Sequence, residues 1–140
     1  MLQEIKNPAN YLLKTTILVS TLHFLATKLY WYNDFFWFDM LMHFIGGIFI
    51  GFIALYTLYR FKISQNKKFI STIKITILTV FVVGLFWEVY EYVVQGFTGA
   101  ILANPIDSIS DLFFDLAGGL YAVYIFQKQN VTIDLWNKKN

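Results

Sequence analysis

From Phe69 to Gln95 the chain runs almost without charge, with Lys74, Glu88 and Glu91 its only charged side chains. About 20 mostly apolar residues suffice to carry a helix across the hydrocarbon core of a bilayer. In lipid every backbone polar group must be paired within the protein, and for one long segment that means a helix. Three further stretches have the same character: roughly Tyr11 to Trp31, Asp39 to Tyr59 and Asp107 to Gln127. The pattern predicts an all-α fold, a polytopic four-helix transmembrane bundle forming one domain over residues 1–140. Composition agrees. The chain is 57% hydrophobic and only 14% charged, where a soluble domain carries about 25% charged residues.

The first stretch does not read as a cleavable signal. A signal's apolar segment of about 7–15 residues is followed by small residues. Here Trp31-Tyr32-Asn33-Asp34-Phe35-Phe36-Trp37-Phe38 follows, the aromatic belt of a membrane interface. Cysteine is absent, which excludes disulfides and thiolate ligands. The net charge of +2 and the lack of a basic, aromatic-laced run give no footprint for nucleic acid.

Lysine and arginine set the orientation. With four spans both termini and the middle loop share one side, which holds Lys6, Arg60, Lys62, Lys67, Lys68, Lys128, Lys138 and Lys139. Lys14 and Lys74 lie about one turn inside the same ends and can snorkel there. Only Lys28 belongs to the opposite side. The positive-inside rule makes the basic side cytoplasmic, in the cell (inner) membrane.

The acidic residues go the other way. Asp34, Asp39, Glu88, Glu91, Asp107, Asp111 and Asp115, seven of the nine, fall in the outer half. His43 lies there too, one turn below Asp39, and His23 lies about 12 Å below Trp31 at 1.5 Å per residue. Some have local explanations. Asn104 can cap the last helix, with Pro105 at its first position and Asp107 at the capping-box position. Asp39 sits where a helix N-terminus favours an anion, and Asp34 reads as a solvated loop residue. Asp111 and Asp115 share one helix face, the second about three turns deep and beyond the terminal dipole. Glu88 and Glu91 repel each other on one face, near a helix end that disfavours anions. His43 follows Asp39 at i+4, and His23 reads equally as a packing residue or a ligand.

Two blocks repeat. Asp39-Met-Leu-Met-His43-Phe-Ile-Gly46-Gly47 and Asp111-Leu-Phe-Phe-Asp115-Leu-Ala-Gly118-Gly119 both read D-x-x-x-[HD]-x-x-G-G. They fit two repeated helical hairpins about a pseudo-twofold axis along the membrane normal. They fit equally the ordinary use of small residues to bring membrane helices together.

Asp39, Glu88, Glu91, Asp111 and Asp115 could not all stay ionised in a low-dielectric bundle without a facing cation. Either protons or metal ions must neutralise them. Carboxylates with an imidazole suit a divalent ion: Mg²⁺, Mn²⁺, Zn²⁺ or Fe²⁺. The expected metal ligands are His43, Glu88, Glu91, Asp111 and Asp115. His43, as ligand or general base, and Asp39, as its orienter, would carry the chemistry.

The blocks Phe38-Asp39-Met-Leu-Met-His43-Phe-Ile-Gly46-Gly47, Trp87-Glu88-Val-Tyr-Glu91-Tyr92 and Asp107-Ser-Ile-Ser-Asp111-Leu-Phe-Phe-Asp115-Leu-Ala-Gly118-Gly119 resemble the YjdF-type family of small prokaryotic inner-membrane proteins. More loosely they are similar to VanZ-like proteins. The resemblance bears on fold and site and carries no assigned activity. D-x-x-x-D on a membrane helix is also similar to the Mg²⁺–diphosphate motifs of intramembrane prenyltransferases and phosphatidyl-alcohol transferases. Those have more helices, and the basic residues that would grip a phosphate are missing from this outer half.

The leading expectation is a metal-dependent enzyme acting on a lipid or lipid-linked substrate, with membrane lipid as partner. Cation or proton transport, and metal or lipid binding without turnover, are the alternatives. A bundle this small also invites self-association into a homo-oligomer.

Overall fold

The computed structural model describes residues 8–61, 69–98 and 105–137. Asn104 and the lysines at 6, 62, 67, 68, 138 and 139, used above for a cap and for orientation, lie outside the described residues. The described residues form only helices: α1 (Ala9–Lys28), α2 (Trp31–Asp34), α3 (Phe38–Arg60), α4 (Phe69–Thr98) and α5 (Pro105–Asn137).

Three of them are long and apolar enough to cross a membrane, over Phe38–Arg60, Ser71–Phe97 and Ile106–Lys128. α1 is not among the three. Its 20 residues would reach about 30 Å, but Asn10, Lys14, Thr15, Thr16, Ser20, Thr21, His23 and Thr27 dilute its apolar character. Thr15, Thr16 and Thr27 return their hydroxyls to backbone carbonyls of the preceding turn. α4 turns much of its surface outward. Leu78, Phe81, Leu85, Phe86, Val89 and Val93 are all exposed, an apolar face of the kind that lipid covers.

The expected unbroken first span ends early. α1 stops at Lys28, and Tyr30 takes a left-handed backbone conformation at φ 57°. That conformation is uncommon for a side chain larger than glycine. It turns the chain sharply into α2, where the amides of Asn33 and Asp34 bond back to the Tyr30 carbonyl. Part of the expected aromatic belt is thus a helical turn, and Phe38 holds it by edge-on contacts with Trp31 and Tyr32.

α3 is the centre of the assembly, with α5, α4 and α1 all packed on it. The α3–α5 contact is a meeting of backbones. A Cβ on Gly47 would fall 2.8 Å from Asp115 Cα, and one on Gly118 would fall 2.8 Å from the Ile48 amide nitrogen. Away from the acidic end, Phe52, Leu55, Ala122 and Val123 make a dry core, flanked by Tyr11 and Leu12 from α1. Tyr11 stacks on Phe52 with ring centroids 5.2 Å apart.

The repeated blocks meet each other, but not like for like. Gly118 lies against the α3 backbone, whereas Asp115 Oδ1 at 4.0 Å is the nearest neighbour a Cβ on its counterpart Gly46 would have. Nor do the hairpins match among the described residues, because the α4 backbone closes to within 8 Å of both α3 and α5 while that of α1 does so with α3 and α2 and not with α5. The repeat governs how two helices approach and does not extend to a twofold bundle.

Gly118→Ala should therefore cost about 1–3 kcal/mol, the usual penalty for forcing a methyl into packed backbone. Gly96→Ala, where a Cβ meets no atom within 4 Å, should cost nothing. Thermal unfolding of the two variants in detergent separates them, and equal stabilities would contradict this packing.

Candidate functional site

His43 sits in the second turn of α3, just above the point where Gly47 and Gly118 bring α3 and α5 together. It is 6% exposed, and Asp111 and Asp115 on α5 are 3% and 7% exposed. His43 Nδ1 lies 3.4 Å from Asp115 Oδ2, a long hydrogen bond, and Nε2 lies 3.8 Å from Asp111 Oδ2. With the proton assigned to Nδ1, the ring donates to Asp115 and turns the Nε2 lone pair toward Asp111.

Glycine also decides the approach of α4. A Cβ on Gly84 would stand 2.7 Å from Asp115 Oδ2. One turn further along the same face comes Glu88, then Glu91. Trp87 Nε1 donates to Glu91 Oε1 at 2.8 Å, which steers that carboxylate. Glu88 Oε1 and Asp111 Oδ1 are buried with no hydrogen-bond partner.

Two sets of side chains bring one donor atom each within 4.8 Å of one another: Asp39, His43 and Asp111, and His43, Glu88 and Glu91. Two donors each about 2.1 Å from a single ion stand at most about 4.2 Å apart. The 3.8 Å separation of His43 and Asp111 fits within that limit, and a small closure would bring the other members within it. All five expected metal ligands and Asp39 therefore converge on one end of the bundle. Their arrangement differs from expectation in one respect: Asp115, not Asp39, holds the Nδ1 side of the imidazole.

Among the described residues Lys28, in the last turn of α1, is the one lysine at this end, and its ammonium lies 6.0 Å from the Phe24 ring centroid rather than in an ion pair with these carboxylates. At 1.5 Å per residue Arg60 lies about 25 Å along α3 from His43, and Lys74 about 21 Å along α4 from Glu88. Among the described residues, the ion pairs of these carboxylates run to His43 alone. An orphaned buried carboxylate oxygen among other acids costs free energy unless a proton or cation meets it.

The cluster opens into a cavity of about 570 Å³ between α1, α3, α4 and α5, with Tyr32 of α2 also on its wall. His23 joins that wall without meeting the carboxylates, since its Nδ1 pairs with the Tyr32 hydroxyl at 2.9 Å. Burial, with Asp39 and then Glu91 adding negative charge nearby, pushes the Tyr32 phenol up to about 12, so it faces the cluster as a neutral hydroxyl. Asp107 touches the cavity rim but is exposed, and Asp34 is exposed away from it.

Three residues at the site had no role assigned from sequence. Trp87 could have been found from its i, i+4 spacing to Glu91, and Gly84 from its place one turn before Glu88. Nothing in the sequence pointed to Tyr32, because only the left-handed turn at Tyr30 brings it back over α1.

No curated protein and no solved structure matches the chain. A family model described as a predicted membrane protein matches residues 3–131, without carrying the YjdF-type or VanZ-like names. By that match, which takes in every residue of the cluster, the chain belongs to the predicted membrane protein family DUF2238.

Proposed function

We propose that the cluster binds one or two divalent metal ions at the outer end of a four-span membrane protein, and that the bound metal acts on a lipid or lipid-linked substrate. The observation that carries the reading is the Asp111 carboxylate. It is buried, one oxygen has no partner, and it stands beside Asp39 and His43 with no lysine or arginine paired to it among the described residues. His43 Nε2, Asp111 and Asp39 are the first donor set, and Glu88 and Glu91 extend it through the shared His43. Asp115 orients the imidazole from behind, as carboxylates do for metal-bound histidines. An ion held there would polarise an ester or phosphoryl oxygen or activate water, and the choice among Mg²⁺, Mn²⁺, Zn²⁺ and Fe²⁺ follows from the donors each prefers.

Transport is the weaker reading. Phe52, Leu55, Val80, Ala122 and Val123 close the other half of the bundle at 4% exposure or less, and among the described residues the Thr72 and Thr76 hydroxyls are the buried polar side chains there, with no ionisable relay.

The metal reading makes a signed prediction. Purified protein in detergent should carry near-stoichiometric divalent metal by elemental analysis. Chelation should lower its thermal stability, since an ion at a hundredfold excess over its Kd contributes about 2.7 kcal/mol. Asp111→Asn and Glu88→Gln should lose the metal, yet be more stable than the chelated wild type because a repelling charge is gone. Protein without metal, whose behaviour is unchanged by Glu88→Gln or Asp115→Asn, would end this reading.

In this reading α1 is the fourth span, and its Lys14 and Lys28 snorkel toward opposite interfaces. The chain lacks cysteine, so single cysteines can map topology. An impermeant maleimide should label Asn33→Cys in intact spheroplasts, and should label Lys6→Cys and Lys67→Cys only after lysis. Labelling of Lys6→Cys from outside would show that α1 does not cross.

A further inference from the structure

The cavity continues well past the carboxylates. Below His43 and Asp115 its walls are Val19 from α1, Phe49 and Ile50 from α3, and Val80 and Val83 from α4. One space is thus lined by acids at one end and by aliphatic and aromatic side chains at the other. Its depth follows from the helix rise. From Asp39 to Ile50 is about 16 Å along α3 at 1.5 Å per residue, close to the roughly 15 Å of hydrocarbon in one leaflet. Its volume of about 570 Å³ lies in the usual range for sites that take small molecules.

The space also has an open side. Among the described residues the α1 backbone comes within 8 Å of α3 and α2 but not of α4 or α5, although all four long helices contribute to the cavity wall. Val83 on α4 is both a wall residue and partly exposed. α4 beside it presents Phe86 and other large apolar side chains outward. Across this gap, at the depth of a spanning helix, the surrounding medium is hydrocarbon.

We infer that the cavity is a laterally entered lipid site, which admits one apolar chain of a membrane lipid between α1 and α4 and holds the lipid's head group against the carboxylate–histidine cluster. The inference deepens the function proposed above, because it gives the substrate a chain, a length and a route. The chain slides in from the leaflet at its own depth, so its apolar surface never crosses water. Burying apolar surface against Phe49, Ile50 and Val83 gains little over lipid, since both surroundings are apolar. Selectivity for one lipid therefore has to come from the polar end, where a bound ion would take an oxygen-rich, anionic head. His23 and Tyr32 flank the head-group end of the entrance, with the Tyr32 hydroxyl and the carboxylates on one wall.

Gly46 provides the test. It lines the cavity one turn below His43, and a Cβ there would have as its nearest neighbour only Asp115 Oδ1, at 4.0 Å. Gly46→Leu therefore brings a side chain into the slot from a position whose Cβ meets no backbone atom of a neighbouring helix within 4 Å. Val83→Phe narrows it independently from α4. The protein is reconstituted at low protein-to-lipid ratio into phosphatidylcholine vesicles containing a long-chain alkyl phosphate with a mid-chain diazirine. It is then photolysed, and the adducts are mapped by peptide mass spectrometry. Adducts should concentrate on peptides bearing Val19, Phe49, Ile50 and Val83, saturate with probe and be displaced by unlabelled alkyl phosphate. Either variant should lower the probe's apparent affinity by about tenfold, while outward residues such as Phe86 label as before. Adducts spread evenly over the lipid-facing surface and untouched by competitor or by both variants would overturn the inference. So would a slot without adducts, as when a second copy of the chain covers it. Metal content measured on the same samples keeps the two proposals apart. Saturable labelling without metal sinks the metal-dependent function and leaves the lipid site standing, and bound metal with unselective labelling does the reverse.

Discussion

The close approach of α3 and α5 is the contact on which the rest of the structure depends. Membrane helices gain little from hiding apolar surface, because lipid is as apolar as leucine, and their association rests on packing and polar contacts. Gly47 and Gly118 let the two backbones touch. One turn above that touch, the separation is already set for His43 to lie between Asp111 and Asp115. Larger residues at the glycines would push the helices apart and carry the imidazole away from its carboxylates.

From that contact the bundle divides into two halves. In one, Phe52, Leu55, Ala122 and Val123 pack dry, with α1 lying against them through Tyr11 and Leu12. In the other the helices leave a cavity, and its walls change from acidic to apolar along its length. The dry half anchors α1 at one end. At the other end α1 stands off from α4 and α5, bridged to the rest through α2 and the His23–Tyr32 hydrogen bond. The lipid site inferred above would use both features, the acidic end for a head group and the side toward α4 as the entrance.

The electrostatics set the chemical character of the cavity. Five carboxylates and one imidazole gather where, among the described residues, no lysine or arginine forms an ion pair with them, and two of the carboxylate oxygens are buried without a partner. Such a group is a liability for stability and is kept only where protons or cations complete it. Trp87 spends its indole N–H on Glu91 rather than at the interface, and Gly84 gives up a side chain so that Asp115 can fit. Both are local sacrifices that make sense around a site held ready for a ligand.

The helical, membrane-embedded class of the chain was legible in the sequence, because span length and charge depletion are one-dimensional properties that lipid imposes directly. The membership of the cluster was legible too. Glu88, Glu91, Asp111, Asp115 and His43 are costly in an apolar helix, and that cost appears in the sequence without knowledge of any contact. Which partner each residue meets was not. Helix rotation and the depth of each crossing come from packing, so only the tertiary structure decided that Asp115 rather than Asp39 pairs with His43 Nδ1. The same holds for Tyr32, which a single left-handed residue at Tyr30 returns to the cavity wall. It holds as well for the side opening, which arises because α1 packs on α3 alone among the long helices, a relation between surfaces far apart in the chain.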